Sequence, residues 1–361
     1  MRVSCDLFCR VVDNFGDAGV CWRLARQLAQ EHAWAVRLWI DDAAQLTGLR
    51  PGISPALATQ VVDGVEIRRW PEPFPEIRPG DVVIEAFACD LPPGFVLAMA
   101  AQARAPVWIN LEYLSAETWV PGCHGLPSPH PTLPLLKYFF FPGFAPGTGG
   151  LIRERDLANP GSPAPGPALS VSLFCYGNAA LPDLLSIWAD SADPVTCRVA
   201  DGLPREQVEE WLGRPFPVGS ESGRGSLKLI AAPFVPQTDF DARLAASDLN
   251  FVRGEDSFVR AQWVERPFVW QAYPQEGAAH RVKLDAFLDR YLGSLGDDRR
   301  TADTVRTFWH AWNGDGDIVT AWPEFRGVLP RLTLHGKAWA QEIARPGNLA
   351  QNLVRFCCER L

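Results

Sequence analysis

From Asp248 to Glu276 the chain reads in order as strand, polar turn, helix, strand and loop, and few folds admit that order. Asp248-Leu249-Asn250-Phe251-Val252 is a short apolar run, Arg253 to Ser257 is polar, and Phe258 to Glu265 carries apolar residues at helical spacing. Pro267-Phe268-Val269-Trp270 is the next strand, followed by Tyr273-Pro274-Gln275-Glu276. Strands joined through helices build a parallel sheet. Ligands of open parallel sheets bind where loops leave the carboxyl ends of strands, so Arg253, Asp256, Ser257, Gln275 and Glu276 are expected to converge on one crevice. A helix opening near Ser257 adds free backbone N–H groups and the positive end of its dipole, both suited to a phosphate. A serine there also serves as an ordinary helix cap, and this stretch alone leaves both readings open.

The same alternation fills the first third. Strands are expected at Asp6 to Val12, Ala35 to Ile40, Val65 to Arg69, Val82 to Ala86 and Val107 to Leu111, with an amphipathic helix from Val20 to His32. The run from Ala158 to Pro167 is too rich in Pro and Gly for regular structure and reads as a linker. A second series starts at Leu169-Ser170-Val171-Ser172-Leu173-Phe174 and includes Leu227 to Ala232. The expected organisation is therefore α/β: a first domain over 1–157, a linker over 158–168 and a second domain over 169–361. Helices over Asp303 to Trp312, Arg326 to Glu342 and Leu349 to Leu361 close the second domain, the terminal one possibly crossing back onto the first.

Composition narrows the function. A net charge of -8 argues against a general nucleic-acid binder. No tract of about 18 apolar residues offers a membrane span. The start runs straight into a strand, so no signal peptide is expected, and nine scattered cysteines without a CxxC pair point to reduced thiols in a cytoplasm rather than disulfides or zinc.

At the first strand–helix junction stands Val12-Asp13-Asn14-Phe15-Gly16-Asp17-Ala18-Gly19. It lacks the spacing of a dinucleotide fingerprint and puts acids where phosphate oxygens would lie. Two carboxylates in a glycine turn suit a cation, or a nucleophile that must lose a proton, though capping by Asp17 is the plainer alternative. Cys175-Tyr176-Gly177-Asn178 and Pro233-Phe234-Val235-Pro236-Gln237 each set an aromatic and an amide at a strand end, as base stacking and a pyrimidine edge require; core aromatics look the same. Glu112 is a candidate third carboxylate in Asn110-Leu111-Glu112-Tyr113. His124 and His130 have no partner spacing and read as loop residues. Asp239-Phe240-Asp241 and Asp315-Gly316-Asp317 match a metal-binding DxD form, which arises readily by chance.

Together VVDNFGDAGVCWRLARQLA, INLEYLSAE, KYFFFPGF with TGGL, and DLNFVRGEDSFVRAQW through YPQE resemble the bacterial protein-arginine rhamnosyltransferases that modify translation elongation factor P, the EarP family. The likeness runs nearly end to end. It implies a GT-B fold with two Rossmann-like domains facing each other across a cleft. It also implies inverting transfer of rhamnose from dTDP-β-L-rhamnose to an arginine of folded elongation factor P, in the cytoplasm, with no metal or other cofactor, no nucleic acid and no membrane. On that resemblance Asp13, Asp17 and Glu276 are catalytic; a guanidinium that must lose a proton makes Asp17 the expected general base, with Asp13 gripping the fork. The resemblance places donor binding on Tyr176, Phe234, Gln237, Arg253, Asp256, Ser257 and Tyr273, and Gln275 joins them by its place at the same crevice. Rival readings are a GT-B enzyme acting on a small molecule or lipid, and a nucleotide-sugar-binding partner of a translation factor without catalysis.

Overall fold

A computed structural model describes residues 2–155, 157, 166–274 and 279–361. The chain divides into two compact units, Met1–Asp156 with Ile343–Leu361, and Leu157–Glu342. Of the expected linker over 158–168, residues 158–165 lie outside the described residues.

The first unit contains β1 (Ser4–Cys9), α1 (Asn14–Glu31), β2 (Ala35–Ile40), α2 (Ala44–Leu49), β3 (Thr59–Val62), β4 (Val65–Arg69), β5 (Val82–Ala86), α3 (Pro93–Ala100), β6 (Val107–Leu111), α4 (Val120–Cys123), β7 (Pro127–Pro129) and β8 (Leu136–Phe140). These strands form one sheet in the order β3-β4-β2-β1-β5-β6-β8-β7. Its inner pairs are parallel, and only β3 with β4 and β7 with β8 run antiparallel. Parallel strands are covered on both faces, which is why β5 and β6 are buried at every position. Phe8, Trp39, Trp70, Phe95 and Trp108 pack together on one side of this sheet.

The second unit contains β9 (Leu169–Leu173), α5 (Leu181–Asp190), β10 (Val195–Ala200), α6 (Leu203–Leu212), β11 (Glu221–Arg224), β12 (Leu227–Ala232), α7 (Gln237–Ala245), β13 (Leu249–Arg253), α8 (Asp256–Trp263), β14 (Phe268–Gln271), α9 (Ala279–Gly293), α10 (Arg299–Trp312) and α11 (Ile318–Ile343). Its strand order is β11-β12-β10-β9-β13-β14, parallel except for β11. The last helix, α12 (Leu349–Cys358), belongs to the first unit, where its Phe356 ring meets Tyr138 at 5.4 Å and Phe140 at 5.6 Å.

The strands expected at Ala35, Val65, Val82, Val107 and Leu227 occupy those positions. The first helix differs: it starts at Asn14, not Val20, so Gly16 and Gly19 sit inside its opening turns instead of in a glycine turn. No side chain caps this helix start; instead Asp17 Oδ2 accepts from the amides of Val12 and Asp13, in the turn that leads into the helix. Arg253 ends β13 and is not part of the turn. Among the described residues no helix is long and apolar enough to cross a membrane.

Candidate active site

Each sheet has one point where strand order reverses, and ligand crevices of open α/β sheets lie there at the carboxyl ends. In the first unit β1 has β2 on one side and β5 on the other. The chain leaving β1 is the acidic stretch. Asp13 is the N-cap residue of α1, and Asp17 lies in the first turn with 2% of its surface exposed. One Asp17 oxygen, Oδ2, accepts from the backbone N–H groups of Val12 and Asp13, both at 2.9 Å. The aspartate therefore reaches back to fix the turn that carries its partner, leaving Oδ1 as its second edge. Asp13 lies against the glycine: a Cβ added to Gly16 would fall 2.5 Å from Asp13 Oδ2. Glycine, with no Cβ and without a left-handed backbone, lets the Asp13 carboxylate approach this closely.

Behind Asp17 the Cys9, Cys21 and Cys89 thiols gather. Burial pushes the Cys21 thiol well above its usual range, with Cys9 and the nearby Asp17 and Cys89 adding to the shift. Cys89 is pushed up to about 12, first by burial and then by Glu85. Such thiols are inert.

Cys89 belongs to the loop that leaves β5. Phe87, Ala88 and Asp90 have φ of +57°, +52° and +53°, a conformation costing on the order of 1–3 kcal/mol per non-glycine residue. The amides of Phe87, Ala88, Cys89 and Asp90 are all pinned. Phe87 N donates to Leu111 O at 2.7 Å and Cys89 N to Ala86 O at 3.2 Å. Ala88 N donates to Asn110 Oδ1 and Asp90 N to Glu85 Oε1, both at 3.2 Å. Asn110 also donates to Glu112 Oε1, which orients that carboxylate. Glu85, 1% exposed, further accepts from Trp108 Nε1 at 3.1 Å and Lys137 Nζ at 3.2 Å. The Phe87 and Tyr113 rings stack at 4.3 Å with planes 12° apart. Sequence reasoning missed this loop, since nothing marks left-handed backbone where glycine is absent. The one available sign was Glu85, an acid inside the apolar run of β5.

In the second unit the reversal falls between β9 and β13. The Arg253 guanidinium carbon lies 4.4 Å from the Tyr176 ring centre and 4.5 Å from that of Phe174, in cation–π range. Tyr273, 41% exposed, meets Tyr176 edge-on at 5.4 Å. Gln271 was not expected in the site, yet its Oε1 accepts from Tyr176 N at 2.9 Å and ties the ends of β9 and β14 together. Ser257 Oγ donates to Arg253 O at 2.6 Å and accepts from Arg253 N at 3.1 Å. The serine thus locks the strand end that aims Arg253. Asp256 Oδ2 accepts from Gln237 Nε2 at 3.0 Å and Arg260 Nε at 3.1 Å, and Arg260 Nη1 donates to Asp241 Oδ2 at 2.7 Å. This network joins the starts of α7 and α8. Gln237 is 5% exposed, and its Oε1 takes no hydrogen bond from the described residues. Phe234, 39% exposed, lies just beyond β12.

Gln275 and Glu276 lie outside the described residues. The DxD readings do not survive: Asp241 is engaged by buried Arg260, Asp315 pairs with Arg281 at 2.8 Å, and Asp317 accepts from Val319 N at 2.9 Å. Both histidines are structural. His124 Nδ1 accepts from Phe141 N at 3.1 Å, and His130 Nδ1 from Leu133 N at 3.2 Å.

The chain matches, over residues 5–164 and 160–358, the family described as Elongation-Factor P (EF-P) rhamnosyltransferase EarP. It is 46% identical to a protein-arginine rhamnosyltransferase of Pseudomonas putida, covering 99% of both chains, and 43% identical to one of Pseudomonas aeruginosa, covering 99% of this chain and 100% of that one. A solved structure described as the basis for EarP-mediated arginine glycosylation of translation elongation factor EF-P aligns with TM-score 0.68 and 31% identity over 100% of both chains. The glycosyltransferase VinC, solved with dTDP, aligns at TM-score 0.53 and 11% identity over 99% of this chain and 100% of that one, a likeness of fold alone. Two Rossmann-like units with a switch-point site in each, and matches running nearly end to end, place the chain: it belongs to the EarP family of protein-arginine rhamnosyltransferases, glycosyltransferases of the GT-B architecture.

Proposed function

We propose that the chain transfers rhamnose from dTDP-β-L-rhamnose to an arginine side chain of folded translation elongation factor P, with inversion at C1 and without a metal ion. The observation that carries this reading is the carboxylate pair at the first switch point. Asp17 is buried and held through Oδ2 by two backbone amides, beside Asp13 at the helix start.

Guanidinium is a poor nucleophile because it stays protonated at physiological pH, so the enzyme must grip it and accept a proton as the bond forms. Carboxylates meet the planar fork with two parallel hydrogen bonds. In the proposed step Asp13 holds the guanidinium, a nitrogen forms the bond to C1 of rhamnose, and the C1–O bond to dTDP breaks with its electrons going to the diphosphate. The proton lost from nitrogen passes to Asp17 Oδ1. Fixing Oδ2 on the turn keeps that oxygen in one orientation.

On the donor side, Arg253 and the amides at the start of α8 stabilise charge growing on the leaving diphosphate. Tyr176, Phe234 and Tyr273 offer ring faces to the nucleoside. The buried Oε1 of Gln237 suits an N–H on a pyrimidine edge. The resemblance assigns a further catalytic carboxylate to Glu276, and its place in the sequence just after the last strand makes Gln275 a further donor contact. Reduced, buried thiols such as Cys5, Cys175 and Cys197 accord with a cytoplasmic enzyme.

The test is incubation of the purified protein with dTDP-rhamnose and folded elongation factor P, followed by mass mapping of the acceptor. Wild type adds one rhamnose to one arginine. Asp17→Asn slows transfer by about 10²- to 10⁴-fold, the usual cost of a lost general base, while calorimetry finds donor affinity unchanged. Absence of transfer by wild type would overturn the reading. Loss of donor affinity in the variant would move Asp17 to the donor site.

A further inference from the structure

We propose that Phe87 and Tyr113 form the wall on which the plane of the acceptor's guanidinium stacks, so that a flat cation is selected over a point charge. Phe87 directly follows β5 and Tyr113 lies two residues beyond β6. Both sit at the carboxyl end of the sheet beside β1, from which the acid turn departs; β1 and β5 run in register with Phe8 next to Glu85. Acid turn and aromatic loop also share a base. Cys89, between Ala88 and Asp90, donates its thiol to Phe8 O at 3.6 Å, on the strand from which the acid turn departs.

The backbone points the same way. Three left-handed residues without a glycine persist only where the surroundings over-determine them, and such positions cluster at ligand clamps. Here four pinned amides hold the loop in the single conformation that brings the Phe87 ring flat against Tyr113 at 4.3 Å. The pair is half-buried, so it presents aromatic surface at the rim of the crevice. A guanidinium is a planar fork whose edges seek carboxylates and whose face seeks a ring. Asp13 and Asp17 serve the edges, and the Phe87–Tyr113 wall serves the face. A lysine ammonium is also drawn to a ring face, but it is compact and strongly hydrated and cannot lie flat against one, so it gains less.

This proposal rests on arginine being the acceptor, and the test separates the two. Acceptor-saturation kinetics are measured with wild type, Tyr113→Leu and Tyr113→Phe, together with thermal melting and donor calorimetry. Loss of a cation–π platform predicts kcat/KM for the acceptor about tenfold lower in Tyr113→Leu, with donor affinity unchanged, and recovery to within about twofold in Tyr113→Phe. Should Tyr113→Leu not fold, Phe87→Leu, which removes the backing ring, gives the same readout. Wild-type kcat/KM in the leucine variants overturns the wall while leaving arginine transfer intact. A phenylalanine variant as slow as the leucine one also overturns it, because the hydroxyl and not the ring would then be the active element. A wild-type enzyme that leaves arginine unmodified refutes the underlying reading instead.

Discussion

Replacing Gly16 by alanine separates stability from activity. Gly16 sits in the first turn of α1, where alanine is favoured over glycine by up to about 1 kcal/mol. The new methyl carbon would lie 2.5 Å from Asp13 Oδ2 and 3.1 Å from Asp13 Cγ. Carbon contacts settle near 3.5 Å, so the carboxylate must retreat by about 1 Å. The obstructing atom is the end of a side chain rather than backbone, and shifting it off its preferred rotamer costs on the order of 0.5–1.5 kcal/mol. The helix gain and the rotamer cost nearly cancel. A displacement of about 1 Å at a reacting group, by contrast, costs on the order of 10²-fold in rate. Gly16→Ala is therefore expected to melt within a few degrees of wild type, to bind dTDP-rhamnose as wild type does, and to lose about two orders of magnitude in kcat/KM for the acceptor. Differential scanning calorimetry and acceptor kinetics on one preparation measure both. Full activity would show that the position of Asp13 is immaterial. A large drop in melting temperature would show that the backbone yields, contrary to the contact geometry.

Arg253→Ala should weaken dTDP and dTDP-rhamnose alike, by tenfold or more for lost charge-assisted bonds, while EDTA leaves the wild-type rate unchanged; a rate that depends on added Mg²⁺ or Mn²⁺ would overturn the metal-free assignment. Burial lowers the pKa of His124 and of His335, so the folded state resists imidazolium while the unfolded chain takes its proton near 6.5. Stability from these two groups is thus level above that value and falls as pH drops below it, and a melting temperature higher at pH 5.5 than at pH 7.5 would contradict this.

Strands were legible in the sequence where both faces are covered, because Val82 to Ala86 and Val107 to Leu111 are apolar at nearly every position. The start of α1 was not, because its glycines and acids read as a turn until Asp17 is seen to hold the amides of Val12 and Asp13. Among the described residues expected at the donor site, Tyr176, Arg253 and Tyr273 stand at or just beyond strand ends and do meet. What joins Gln237, Asp256, Arg260 and Asp241 could not be read, since the partners sit on two helices and only the packing of α7 against α8 brings them together. The Phe87 loop left still less trace, for its strain lies in φ and not in composition.

Both units build their site from the same parts, a strand end, a turn and a helix start, and such a start attracts anions. Side chains at the turn decide whether that attraction is kept. In the first unit Asp17 turns its own carboxylate onto two turn amides, so the anion is supplied internally and the remaining carboxylate edges invite a cation. In the second unit the acid at the helix start, Asp256, is offset by Arg260 and Gln237, and Ser257 spends its hydroxyl on the backbone of Arg253. Arg253 is left as a cation over two rings. On the proposed reading, one architecture thereby takes a cationic acceptor in one half and an anionic donor in the other. The choice rests on which side chain folds back onto the turn, and so exchanging the acids of the first turn for serine should abolish the cation site without disturbing the sheet that presents it.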